Sequence, residues 1–321
     1  MRTITLEEHY ASPAFLAGPG RGLTERPFAG LRSDLLEQLS DLGPKRIAEM
    51  DAAGIDLQVL SLTSPGVEQL DVTDAVAIAR DSNAFVANAV RNHPTRFAGF
   101  ATIPTPAPEH AADELERAVR DGFKGVMING HVRGRHLDDP FFWPILARAE
   151  ALRVPIYLHP TQPPQPVVDA CYAGFSPTVS FMLANSGWGW HIETAIHVIR
   201  LVLGGTFDRF PTLQMIVGHL GEGLPFMIER LDTMPPALTK LHRPISGYLR
   251  ENLHYTISGF NFTPTFLDLL LEVGVERIMF SADHPYASMT RARAFLDEIP
   301  VSPADRERIA HGNAERLLGL S

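Results

Sequence analysis

The sequence predicts an α/β protein, specifically a (β/α)8 barrel of the TIM type with a long insertion after strand 5. Three observations carry that prediction: eight alternations of strand-like and helix-like segments, strands that read as apolar runs, and polar residues that recur at the C-terminal ends of those strands. An open dinucleotide-binding sheet is the other way to close such a pattern. It needs a glycine fingerprint leading from its first strand into a helix, and "LEEHYASPAFLAGPGRG" leads into a loop.

The first strand is "TITLEEHY", residues 3–10. Strict alternation puts Thr3, Thr5, Glu7 and His9 on one face and Glu8 on the other. A Gly/Pro-rich loop over 11–32 precedes "SDLLEQLSDLGPKRIAEMDAAG", expected as one helix capped by Ser33 and stopped by Gly54. "IDLQVLSL" is a strand covered on both sides. The next helix carries Ala75, Ile78, Ala79, Ser82, Phe85, Val86, Ala89 and Val90 on one stripe.

The alternation continues through "RFAGFATI" with a helix from Pro108 to Arg120, "FKGVMING" with "PFFWPILARAEALR", and "VPIYLHP" with an insertion and "HIETAIHVIRLVL". It closes with "LQMIVGHL" and a helix from Gly223, "NLHYTISGF" and "TPTFLDLLLEVG", then "ERIMFSAD" and a C-terminal helical stretch. Thr263 and Pro264 read as N-cap and first helical position, with Gly274 as the stop. No linker or shift in composition divides the chain, so residues 1–321 read as one domain.

With 45% apolar and 20% charged residues the chain has the composition of a soluble globular protein. A net charge of -9 without basic runs argues against nucleic-acid or anionic-membrane partners and for a small-molecule substrate. Cys171 is the sole cysteine, so a metal site must use nitrogen and oxygen. The first strand begins beside Met1 and no apolar run matches a bilayer, which makes a cytoplasmic enzyme the expectation.

The strand ends deliver Glu7 and His9 (strand 1), Asn129 (strand 4), His159 (strand 5), His219 (strand 6) and Asp283 (strand 8). Each alone has a plain structural explanation, such as a rim histidine or a helix-capping aspartate. Their recurrence at one end of the barrel points to a shared site. Glu, His, His and Asp suit Zn²⁺ or Mn²⁺. Strand 4 ends in Asn129, with Lys124 at its other end, so no lysine is placed to bridge two metals and a mononuclear centre is expected. His219 reads as the non-ligand histidine, and Glu222 either orients its ring or is a first-turn helix acid. His191, Glu193 and His197 lack zincin spacing and read as a solvated or subunit-facing helix.

With "LEEHY", "YLHP", "VGHLGEGLPFMIERLD" and "FSADHPY" in that order, the chain resembles the amidohydrolase superfamily. Within it, the sequence is similar to metal-dependent nonoxidative decarboxylases acting on γ-resorcylate, 2,3-dihydroxybenzoate and 5-carboxyvanillate, and more distantly to aminocarboxymuconate semialdehyde decarboxylase. The resemblance implies Glu7, His9, His159 and Asp283 as ligands of one divalent ion, with no organic cofactor, and His219 as the catalytic histidine supported by Glu222. It places Arg230 near a subunit interface and the site; apolar and aromatic material in the insertion and around Arg230 makes a homodimer or homotetramer the expectation. His284 departs from the pattern, since tryptophan often follows the aspartate in these relatives.

The implied reaction converts an ortho-hydroxybenzoate-type acid to a phenol and CO2. Asp283 is the preferred proton donor and His219 the alternative. Asn129, Arg230 and His284 are candidate substrate contacts, and Phe175, Phe181, Trp188 and Trp190 are candidate walls for an aromatic ring, although aromatics in a long insertion more often pack on their own protein or on a neighbouring subunit. A hydrolase opening a lactone or amide with activated water uses the same ligands and is the main rival. A noncatalytic binding barrel is the other.

Overall fold

The computed structural model describes residues 1–23 and 34–320. Eight parallel strands follow one another in order: β1 (Ile4–Tyr10), β2 (Leu57–Leu62), β3 (Phe97–Gly99), β4 (Val126–Asn129), β5 (Ile156–His159), β6 (Met215–Val217), β7 (Leu253–Thr256) and β8 (Ile278–Met279). Ladders join β1–β2–β3 and β4 through β8. A bridge from Ala101 to Val126 joins the two groups on one side, and Leu6 N–H donates to Phe280 O at 3.3 Å on the other. The sheet thereby closes into the barrel that the alternation predicts.

Inward side chains Ile4, Leu6, Val59, Phe100, Met127, Tyr157, Ile216 and Met279 fill the barrel as one buried cluster. The C-terminal helix Asn313–Leu318 adds Ala314 and Leu318 to it. A larger apolar shell packs the helices on the outside, and it takes the Val72–Asn92 helix by its predicted stripe.

Several elements differ from expectation. Ile4 and Leu6 occupy the barrel interior, so Thr3 and Thr5 do not share a face with Glu7. The cause is a bulge: register slips between Leu6 and Glu8, and Glu7 takes a φ of 67°. That one extra residue turns Glu7 and His9 inward together and sends Glu8 outward to Gln58 and the N–H groups of Ala282 and His284.

The expected long helix before Gly54 is two, Leu35–Ser40 and Pro44–Ala53, because Pro44 has no N–H to continue the first. Gly54 ends the second at φ 70°, while the Ser33 cap lies outside the described residues. Residues 13–17 and 19–23 form short helical turns where a loop was expected. The Thr263–Val273 helix includes Thr263, with Phe262 before it, and stops at Gly274. After Gly223 only a 3-10 turn, Pro225–Met227, and a short helix, Ile228–Leu231, form. Glu222 is therefore no first-turn acid of a long helix.

The stretch between β5 and β6 is helical: Gln165–Cys171, Pro177–Ala184 and Gly189–Leu203. It folds over the C-terminal mouth of the barrel, bringing Phe181, Asn185 and Trp190 to the same cavity as His159 and His219. Among the described residues no helix is long and apolar enough to cross a membrane.

Candidate active site and metal centre

Glu7, His9, His159, His219 and Asp283 converge at the C-terminal end of the strands, as expected from their positions in the sequence. Tyr157 and His159 point inward by the two-residue period of β5. His219 follows β6 after Gly218, where an added Cβ would meet Glu7 Oε2 at 2.6 Å. Only glycine lets that backbone approach the carboxylate. Asp283 sits four residues past β8 at a φ of 59°. Glu7, His219, Glu222, Ser258 and Asp283 all occupy the left-handed region, a concentration of backbone strain typical of functional sites.

Glu7 Oε1 lies 3.2 Å from His159 Nε2 and 3.6 Å from His219 Nε2, and His9 Nε2 lies 3.2 Å from Asp283 Oδ1. Glu7 Oε2 accepts hydroxyls from Tyr157 and Ser258. His159 Nδ1–H donates to Pro160 O at 2.8 Å, which leaves its Nε2 lone pair facing the cluster. Glu7 Oε1 and both ring nitrogens of His9 are buried and find no hydrogen-bond partner among the described residues. Orphaned donor atoms of this kind, facing one another from N/O side chains, fit a divalent cation. Glu7, His9 and His159 form one group with ligand atoms within 4.8 Å; Glu7, His219 and Asp283 form an overlapping one.

The electrostatics follow from burial and pairing. Burial pushes Glu7 up, but His219, His159 and His9 outweigh it and hold the carboxyl well below its usual range. Burial, reinforced by the Glu7 carboxylate, pushes Asp283 well above it. Burial lowers His219, yet Glu222 and Glu7 prevail and raise it to about 10. Glu222 is brought to about 2 against the cost of burial by His219 and His191.

Glu222 Oε1 accepts from His219 Nδ1 at 2.7 Å. Its Oε2 lies 2.5 Å from His191 Nδ1. His191, Glu193 and His197 are thus not on a solvated face; all three are buried. Glu193 pairs with His136 at 2.7 Å, and His197 Nε2 accepts from Leu137 N–H at 2.8 Å, tying the Gly189–Leu203 helix to the loop after β4. Sequence spacing missed His191 because its partner is 31 residues away.

A cavity of about 380 Å³ opens on the cluster, lined by His159, His219 and Asp283 with Phe181, Trp190, Phe260 and Tyr286. Of the expected aromatic walls, Phe181 and Trp190 belong to it. Phe175 and Trp188 do not: they are 59% and 54% exposed and lie outside its lining. Arg230 is exposed and also outside it. His284 is buried beside a neighbouring cavity of about 680 Å³ that contains none of the metal-type cluster. Asn129 is buried, takes Glu68 Oε1 on its backbone N–H at 3.1 Å, and does not line the site cavity.

A barrel with this N/O cluster at the strand ends defines the amidohydrolase class, and the family model described as Amidohydrolase matches residues 32–320. The chain belongs to that family. It is 38% identical to the gamma-resorcylate decarboxylase of Polaromonas sp., over 99% of this chain and 98% of that protein. Among solved structures, a dihydroxybenzoic acid decarboxylase from Polaromonas sp. with bound manganese and the inhibitor 2-nitroresorcinol superposes with a TM-score of 0.86, at 37% identity over 99% and 97% of the two chains. A 5-carboxyvanillate decarboxylase from Novosphingobium aromaticivorans, complexed with manganese and 4-hydroxy-3-methoxy-5-nitrobenzoic acid, gives 0.89 at 33% identity over 99% and 96%.

Proposed function

We propose that this protein is a metal-dependent nonoxidative decarboxylase that converts an ortho-hydroxybenzoate-type acid to a phenol and CO2. The observation that carries the reading is the buried Glu7–His9–His159 group, whose Glu7 Oε1 and His9 ring nitrogens find no hydrogen-bond partner among the described residues, beside a partly aromatic cavity lined by His159, His219 and Asp283. Full-length likeness to gamma-resorcylate decarboxylase supports the substrate class.

Glu7, His9, His159 and Asp283 would hold one divalent ion, Mn²⁺ or Zn²⁺. Bound there, such an ion would supply Lewis acidity to an ortho-hydroxy acid. Asp283, which lines the cavity beside His219, donates the proton to the ring carbon that bears the carboxylate. This breaks aromaticity; cleavage of the carbon–carbon bond then returns its electron pair to the ring and releases CO2. His219, fixed by Glu222, presents Nε2 to the substrate's polar edge. Phe181, Trp190 and Phe260 enclose the ring and exclude water.

The same reading makes residues 1–321 one domain of a cytoplasmic homodimer or homotetramer. The test is metal analysis of the purified protein with CO2 release from a panel of ortho-hydroxybenzoates. About one ion per chain and CO2 release abolished by chelation are expected; bound metal without CO2 from any acid, together with lactone or amide cleavage, assigns a hydrolase instead.

A further inference from the structure

We propose that His191 is a positioning residue, which holds Glu222 and, through Glu222, orients the His219 imidazole from a separate helix. The Glu222 carboxylate is 2% exposed and gives one oxygen to each of two imidazoles, His219 Nδ1 at 2.7 Å and His191 Nδ1 at 2.5 Å. The two rings lie 4.7 Å apart at 70°. Beyond them, Trp190 Nε1–H donates to His191 Nε2 at 3.0 Å.

The Glu222 carboxylate only accepts, so both Nδ1 atoms carry the hydrogens it receives. An indole N–H only donates, and its 3.0 Å contact is the shorter of the two made by His191 Nε2, the other being 3.2 Å to Ser186 O, so Nε2 is assigned as the acceptor from Trp190. The direction of every bond in the chain Trp190, His191, Glu222, His219 is thereby set. It leaves His219 Nε2 as the end that faces Glu7 Oε1 at 3.6 Å.

An outside anchor has a reason to exist here. His219, Leu220 and Glu222 all adopt positive φ, 49°, 55° and 57°, in a four-residue turn that L side chains disfavour. The hydrogen bond from His219 to Glu222 lies within that turn and cannot by itself fix the turn against the rest of the protein. His191 comes from another element, the first turn of the Gly189–Leu203 helix, and is packed against Phe260 at 5.1 Å. The segment that walls the cavity with Phe181 and Trp190 therefore also sets the ring of His219. Contact between substrate and that wall is coupled to the orientation of the group that meets its polar edge.

Only the kinetic arm of the test rests on the decarboxylase reading. His191→Phe keeps a ring and deletes both nitrogens. His191→Asn places an amide nitrogen two bonds from Cβ, where Nδ1 stands, and keeps the donor to Glu222. Histidine-¹⁵N NMR of the metal-free protein reports the His219 Nδ1–H directly: it is expected to move or vanish in His191→Phe and to return in His191→Asn. In the metal-loaded enzyme kcat should fall roughly 10–100-fold in His191→Phe with KM held within about threefold, and recover in His191→Asn.

If the phenylalanine variant fails to melt cooperatively, His191→Gln replaces it, since its amide reaches the Nε2 position rather than Nδ1. An unchanged His219 signal in the donor-deleted variant, or equal impairment of the donor-deleted and asparagine variants, overturns the proposal. Wild-type protein that releases no CO2 from any ortho-hydroxybenzoate sinks the decarboxylase reading alone, and the NMR arm still decides the role of His191.

Discussion

Glu7 Oε1 stands 3.2 Å from His159 Nε2, although one residue sits on the first strand and the other ends the fifth. Both are buried, and the carboxylate is steadied from behind by Tyr157 and Ser258. Glu7→Gln keeps the shape and removes the charge. Bound metal should fall below about one tenth per chain and CO2 release by at least the ~100-fold that loss of an outer partner alone can cost. Metal analysis and initial rates check this.

Tyr157 acts on the same carboxylate without facing the cavity. Its hydroxyl reaches Glu7 Oε2 and lies 2.6 Å from Thr256 Oγ1. Tyr157→Phe leaves Ser258 as the remaining hydroxyl on Glu7, so Mn²⁺ affinity is expected to drop by roughly 10–100-fold while the fold persists. Calorimetric titration of the apoprotein measures it, and excess metal should restore activity.

The cavity separates aromatic residues that composition could not. Phe181 lines it and Phe175 is exposed outside it. Phe181→Ala should raise KM by about tenfold, the equivalent of roughly 1.4 kcal/mol of aromatic packing. Phe175→Ala and Trp188→Ala should leave KM unchanged.

Away from the site, His254 is buried beside Arg277, whose Nη1 lies 3.1 Å from its Nε2. Burial and that arginine lower it to about 3. The unfolded chain takes up this proton near the ordinary histidine value, and the native state does so only near 3. Stability from this group is therefore present above about pH 6.5 and declines as pH falls toward 3. At pH 5 the loss is about 2 kcal/mol relative to pH 7. Urea midpoints of wild type and His254→Asn at the two pH values should show the acid-side loss reduced by that amount in the variant.

How far the sequence could be read depended on whether the deciding relation was periodic. The strand-end rule brought together His159, His219 and Asp283, since barrel strands all end on one face. Alternation was right that Glu7 and His9 converge but gave the wrong companions. The bulge at Glu7, invisible in residue type, swaps Thr3 and Thr5 for Ile4 and Leu6 on the inner face. His191 carried no local signal, because its role is set by a helix packing across the mouth onto Glu222. Aromatic content in the insertion did not say which rings line the cavity; Trp190 does and Trp188, two residues before it, does not.

The central claim, ring protonation followed by loss of CO2, is tested most directly by running the metal-loaded enzyme on 2,6-dihydroxybenzoate in D2O and following both products. One CO2 should appear for each phenol formed, with a single deuterium at the carbon that carried the carboxylate, and both should be lost in Asp283→Asn. Full retention of the carboxylate alongside efficient cleavage of an aryl lactone or amide would contradict it.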